Sequence, residues 1–150
     1  MRIGEICSRS VVTCRRETRI ADLARMMRDQ HVGSVVVVEA QDGPRPRPVG
    51  VVTDRHIVVQ VVAAGADAAS LVAGDLIVGG LVRANESETL HDALWHMRGR
   101  GIRRLPVVDD HDGLVGVITA DDLTRALAEA LLDLAGTSSH QIASERARRS

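Results

Sequence analysis

Aromatic side chains are almost missing from this chain: it has no Phe, no Tyr and a single Trp, Trp95, among 150 residues. A nucleic-acid platform on which bases stack against Phe and Tyr is thereby excluded. Cysteine is nearly as scarce. Cys7 and Cys14 are wrongly spaced for a C-x-x-C metal or redox motif and read as thiols of a reducing compartment, small and half-buried or exposed. Neither sign of charge prevails, with Lys+Arg 19 against Asp+Glu 20 and a formal net charge of −1. No bulk positive field is available to grip nucleic acid or an anionic membrane. No apolar run approaches the roughly 18 residues that span a bilayer, and the start MRIGEICSRS lacks the hydrophobic segment of a signal peptide. The expectation is a cytoplasmic protein with no nucleic-acid or membrane partner. Ser-His-Asp order, a nucleophile elbow and paired catalytic carboxylates are absent as well, so no catalytic residue is expected.

What the chain does have is apolar residues, 45% of the total, and an internal repeat. The apolar content is enough for one sizeable core or two small ones that share an interface. Shifted by 70 positions, Asp22 falls on Asp92, Met27-Arg28 on Met97-Arg98, and Val37-Val38 on Val107-Val108. After the longer loop QDGPRPRP (41–48) the offset drops to 66, and GVVT (50–53) lands on GVIT (116–119). Such self-similarity marks a duplicated structural unit.

Each copy reads locally in the same way. A short strand (Val11 to Thr13; Leu81 to Arg83) leads to a helix whose apolar residues recur at helical spacing: Ile20, Leu23, Ala24, Met27 and Leu90, Ala93, Leu94, Met97. A hairpin follows, Val35 to Val38 with Val49 to Val52 in one copy and Leu105 to Val108 with Leu114 to Ile118 in the other, turned at Asp42-Gly43-Pro44 and at Asp110 to Gly113. A second helix, Asp54 to Ala64 and Ala120 to Ala135, is expected to stop at Gly65 and Gly136. The fold class is therefore α+β, two β-α-β-β-α repeats with small sheets covered by helices. The expected domains are 1–64 and 75–136, with 65–74 a small flexible linker and 137–150 a frayed tail or helical extension.

With these motifs in hand, the doubled GVVT and GVIT corners, the run IRRLPVVD (102–109) with its weaker twin VGSVVVVE (32–39), and TDRHIVV, the chain resembles a stand-alone pair of cystathionine-β-synthase (CBS) domains, a Bateman module, over about residues 1–135. The resemblance implies two repeats about a pseudo-twofold axis and clefts for adenosine-containing ligands. It also implies pairing into a homodimer and a regulatory role without catalysis. AMP, ADP and ATP come ahead of S-adenosylmethionine and NAD as ligands, with no obligatory cofactor and a regulated protein as a further partner. The alternative is a structural or interaction dimer whose cleft has lost its ligand.

Two readings of T-x-x-D stay open from the residues alone. Asp122 can accept from both hydroxyls of a ribose while Thr119 and the helix N–H groups suit a phosphate, or Thr119 and Asp122 simply form a helix capping box. The resemblance favours the first, and it implies phosphate contacts for Arg103 and Arg104, whose plain alternative is solvated surface. It further assigns Pro106 as an apolar wall and the backbone from Val82 to Ala84 as reader of the base edge. In the first repeat His56 stands where the carboxylate should be, and Gly33-Ser34 replace the arginine pair. The expectation is one nucleotide cleft at Thr119 and Asp122 and a weaker one at Thr53 and His56, with Thr13 and Ser34. A variant has His56 meeting the phosphate of a ligand held by the other repeat. Asp92 with His96, and the turn Asp109 to Asp112, supply no full metal ligand set. Trp95 reads as partly exposed or at a subunit interface, and PRPRP as a spacer.

Overall fold

The computed structural model describes residues 1–149. The first repeat holds α1 (Ile3–Ile6), β1 (Thr13–Cys14), α2 (Ile20–Gln30), β2 (Ser34–Glu39), β3 (Arg47–Thr53) and α3 (Asp54–Ile57), which runs into a π turn at Val58–Val62. A 3₁₀ turn (Ala73–Leu76) leads into β4 (Ala84–Asn85), α4 (Leu90–Arg100), β5 (Arg104–Val108), β6 (Leu114–Thr119) and α5 (Ala120–Arg149). Two three-stranded sheets result, in the orders β1-β2-β3 and β4-β5-β6. In each the first pair is parallel and the second an antiparallel hairpin, with a bulge at the matching places, Val37/Val38 and Val107/Val108. The α+β fold and the duplication are thus as the sequence implies.

Alternation drives the packing. Along β3 the residues Pro48, Gly50 and Val52 are buried and their neighbours less so, the period-two signature of a sheet with one covered face. Ile20, Leu23 and Met27 of α2 cover that face together with Val35, Val37 and Val52. Ala93 and Met97 of α4 do the same over Leu105, Val107 and Ile118. Both helices end on a left-handed residue, but α4 uses Gly101 (φ 62) where α2 uses His31 (φ 54). A side chain in that conformation is strained. His31→Gly is therefore expected to stabilise the protein by about 0.5–1 kcal/mol, read as a rise in the denaturation midpoint.

The two units exchange their leading segments. Ile3 of α1 is fully buried in the core of the second repeat, beside Ala84, Ala93 and Leu105. In return Ala73 and Leu76 of the 3₁₀ turn are buried in the core of the first. Matching backbone bonds seat both pieces: Ile3 N–H donates to Glu88 O at 2.8 Å, and Ala73 N–H to Thr18 O at 2.8 Å. The segment expected to be a flexible linker is therefore packed at its end, because Ala73, and Leu76 just beyond it, sit at the repeat positions of Ile3 and Ile6. The QDGPRPRP loop is likewise more than a spacer. Arg45 pairs with Asp109 at 2.9 Å, and Leu114 N–H donates to Pro46 O at 2.9 Å, so the loop clasps the hairpin turn of the other repeat. Backbone N–H groups of Gly113 and His111 and the Arg45 guanidinium hold the Asp109 carboxyl below its usual range.

Two boundaries differ from expectation. The first strands start later, at Thr13 and Ala84. Pro106 explains the second: lacking an N–H, it cannot donate toward Val82, whereas in the first repeat Val36 N–H still reaches Val12 O at 3.0 Å. The last helix does not stop at Gly136 but continues to Arg149. Gly136 has no left-handed φ, and a lone glycine among strong helix formers costs only about 1 kcal/mol. Gly65, with φ 66, does close the shorter helix.

Candidate functional site

Strand-to-helix corners dominate the sequence pattern, and both are capping boxes. At the second, Asp122 N–H donates to Thr119 Oγ1 at 3.1 Å, while the Thr119 N–H and hydroxyl donate to Asp122 Oδ2 at 2.9 and 2.7 Å. At the first, His56 N–H donates to Thr53 Oγ1 at 3.2 Å and Thr53 N–H donates to His56 Nδ1 at 3.2 Å. His56 thus does with a ring nitrogen what Asp122 does with an oxygen. Accepting at Nδ1 leaves the ring proton on Nε2. Asp122→Ala is expected to cost about 0.5–2 kcal/mol through loss of the cap, measured by thermal or urea unfolding in the absence of any ligand.

A cavity lies at the first corner. It measures about 400 Å³, within the range of small-molecule sites, and is bounded by Val51 and Thr53 to His56 of the first repeat, the crossing segment Ile77 to Val82, and Gly101 to Arg104 of the second. Its apolar wall is aliphatic throughout, with Ile77, Leu81, Val82 and Ile102. Its charged lining is three arginines, Arg55, Arg103 and Arg104, and one carboxylate, Asp54. Arg103 reaches Asp121 at 3.2 Å in an exposed pair. The guanidinium groups of Arg104 and Arg55 have no hydrogen-bond or ion-pair partner among the described residues, and Arg104 and Asp54 flank Gly33 without pairing.

The second corner is closed by the chain itself. Ser8 and Val117 exchange two backbone hydrogen bonds of 2.9 Å, and Cys7 and Ser8 lie so close to Gly116 that a Cβ there would come within 2.8 Å of them. Repeat symmetry would pair Val78 with Val51, yet among the described residues no such bridge forms, and the cavity opens in that place. Val78-Gly79-Gly80 is the reason. Val78 is 81% exposed and Gly79 takes φ 76, so the segment swings off the strand.

Pro106 adds a second asymmetry. Its counterpart Val36 donates its N–H to Val12 O, so that carbonyl is occupied on the closed side. Val82 O receives no backbone hydrogen bond among the described residues, and Val82 lines the cavity.

The structure brings Val82, Arg103 and Arg104 together with Thr53 and His56 around one cavity. Thr119, Asp122, Pro106, Ala84, Thr13 and Ser34 do not line it. Ala84 and Pro106 are buried in the sheet, Thr13 and Ser34 stand half-buried on β1 and β2, and Thr119 and Asp122 serve the closed corner. Sequence reasoning passed over Asp54, Arg55 and the Ile77 to Gly80 crossing. The signal was the Gly79-Gly80 pair, which interrupts an otherwise exact repeat position of Arg9-Ser10.

Elsewhere, Asp92 is drawn into the α4 cap, where Thr89 donates to it at 2.8 and 2.6 Å and holds its carboxyl below the usual range. His96 instead meets Glu88 at 3.0 Å. Among the described residues no three His, Cys, Asp or Glu side chains are grouped to hold a metal ion. Burial pushes the Cys14 thiol up to about 11. Trp95 is 70% exposed, and no helix among the described residues is long and apolar enough to cross a membrane.

Comparison with known proteins follows the same division. The CBS domain family model matches residues 3–63 and 73–129. Hypoxic response protein 1 of Mycobacterium tuberculosis is 33% identical over 120 residues, 79% of this chain and 80% of its own. MK0525 of Methanopyrus kandleri is 33% identical over 123 residues, and the chain spans 61% of that protein's length. Among solved structures, the CBS domain protein PAE2072 from Pyrobaculum aerophilum complexed with AMP superposes with a TM-score of 0.74 at 31% identity, covering 91% of this chain and 99% of that one. Hypoxic Response Protein I with two coordinated zinc ions gives 0.72 at 27% identity, covering 83% and 98%.

Proposed function

Because this chain belongs to the CBS domain family, we propose that it is a non-catalytic regulatory module that binds an adenine nucleotide (AMP, ADP or ATP) in the cavity between its repeats and works as a homodimer. The observation that carries the ligand is that a free backbone acceptor at Val82 and the unpaired guanidinium of Arg104 line the same cavity. A carbonyl without a partner suits the exocyclic amine of adenine. Aliphatic side chains above and below replace the aromatic sandwich this chain cannot build. Guanidinium forks match phosphate oxygens. The ribose falls between the two ends, where Thr53, Asp54 and His56 offer hydroxyl, carboxylate and imidazole.

This reading moves the ligand from the Thr119 and Asp122 corner to the Thr53 and His56 corner, while most of its contacts still come from the second repeat. PAE2072, crystallised with AMP, supports the ligand class. A ligand spanning Val82, Arg104 and His56 touches both repeats, so its binding energy can favour one angle between them, which a partner protein then reads.

The test is thermal unfolding with AMP, ADP, ATP, S-adenosylmethionine and NAD in turn. A ligand at about a hundred times its dissociation constant adds roughly 2.7 kcal/mol, several degrees for a chain of this size. Stabilisation by an adenine nucleotide that persists in Asp122→Ala and is lost in Arg104→Ala is the expected result. Loss in Asp122→Ala and persistence in Arg104→Ala would return the ligand to the other corner. No shift with any of the five would leave the scaffold reading.

A further inference from the structure

Position 56 has no acceptor left for a sugar. His56 takes the Thr53 N–H at Nδ1, at 3.2 Å, so a neutral ring keeps only the Nε2–H, which donates. The two vicinal hydroxyls of a ribose bring protons of their own, and a donor cannot receive them. Thr53 Oγ1 is engaged in turn by the His56 N–H at 3.2 Å. Among the residues that line the cavity the one carboxylate is Asp54.

Asp54 stands where the second repeat has Ala120. Matching backbone bonds fix the equivalence: Asp54 N–H donates to Gly33 O at 3.1 Å, and Ala120 N–H to Arg103 O at 2.9 Å. The first repeat thus sets a glycine beside a carboxylate where the second sets an arginine beside an alanine. Asp54 Oδ1 takes the Arg55 N–H at 2.8 Å, while its Oδ2 has no hydrogen-bond or ion-pair partner among the described residues. A Cβ on Gly33 would come within 3.1 Å of that Oδ2 and 3.3 Å of Arg104 Nη2. Glycine therefore leaves open a space between a free carboxylate oxygen and a free guanidinium. A ribonucleotide carries both complements on one sugar, a diol that donates and a phosphate that accepts.

We propose that Asp54 is the residue that selects ribose in this cavity, its carboxylate accepting from the vicinal hydroxyls that residue 56 cannot serve. This rests on the nucleotide reading above and deepens it, by naming the group that favours ribonucleotides over deoxyribonucleotides.

Calorimetry on the full chain with AMP, ADP and ATP, and with the 2′-deoxy and 3′-deoxy form of each, tests it. The parent is expected to bind the ribonucleotide at least about 10-fold tighter than either deoxy form, because each of these loses a charge-assisted hydrogen bond. Asp54→Asn keeps an oxygen for the Arg55 N–H and so keeps the fold, and Asp54→Ala removes the group altogether. In both, the preference is expected to shrink to about 3-fold or less, with the deoxy forms bound much as by the parent. Asp122→Asn, at the closed corner, is expected to keep the parent's preference. A parent that binds ribonucleotide and deoxy forms alike overturns this inference and leaves the nucleotide reading standing. So does a preference that survives in both Asp54 variants, a loss of every nucleotide alike in them, or a preference lost in Asp122→Asn. A parent that binds none of these nucleotides overturns both.

Discussion

Replacing Ile3 by alanine is expected to destabilise the protein by about 2–5 kcal/mol, although the residue lies two positions from the start of the chain. Termini of most domains tolerate such changes because they are loosely held. Here Ile3 is 0% exposed and packs in the core of the second repeat with Ala84, Ala93, Met97 and Leu105. Truncating it opens a cavity in a core of only nine buried residues, with little nearby that can collapse to fill it. Urea unfolding of Ile3→Ala and of Glu5→Ala, an exposed neighbour in the same short helix, separates this account from general sensitivity of the N-terminus. Ile3→Ala should lower the midpoint by the larger amount, and Glu5→Ala only by the cap bond it accepts from Arg2 N–H, about 1 kcal/mol or less. Equal, small effects in both would mean that α1 does not seat in the second repeat in solution. Leu76→Ala is the matching probe in the first repeat, where the 3₁₀ turn occupies the equivalent place.

That exchange was half legible in the sequence. The repeat offset pairs Glu5-Ile6 with Asp75-Leu76, which says that the two segments are equivalent, but equivalence does not say which core each one enters. Periodicity reports the face a residue buries and is silent on the partner that buries it. The hairpins were legible for the opposite reason: their strands and turns are adjacent in sequence, so local alternation and the Asp-Gly signals suffice. The helix end was legible at Gly65, where glycine takes a positive φ, and misleading at Gly136, where it does not. The candidate site divides along the same line. The residue types at Thr53, His56, Arg103 and Arg104 stand out in the sequence. Their grouping across the repeats, and the closing of one corner by Ser8 rather than the other by Val78, follow from tertiary pairing that no local pattern encodes.

Pro106 then supplies the test in which stability and binding move in opposite directions. Pro106→Ala restores an N–H at the position where Val36 donates to Val12 O, and the new group can reach Val82 O. The sheet gains a bond worth about 0.5–1.5 kcal/mol, so the unliganded variant should be as stable as the parent or more so. The adenine loses its acceptor, a similar amount in the other direction and a roughly 2- to 12-fold weaker affinity for AMP by calorimetry. Arg104→Ala differs in kind. It removes a charge-assisted contact to phosphate, worth about 1.5–3 kcal/mol or roughly 10- to 150-fold, and its effect should vanish for adenosine, which has no phosphate. The Pro106→Ala effect should persist for adenosine and shrink for inosine, whose ring carries a carbonyl where adenine carries the amine. Two variants and three ligands therefore assign each end of the cavity separately. If Pro106→Ala weakens adenosine and inosine alike, the substitution acts by reshaping β5, and Val82 is only an apolar wall.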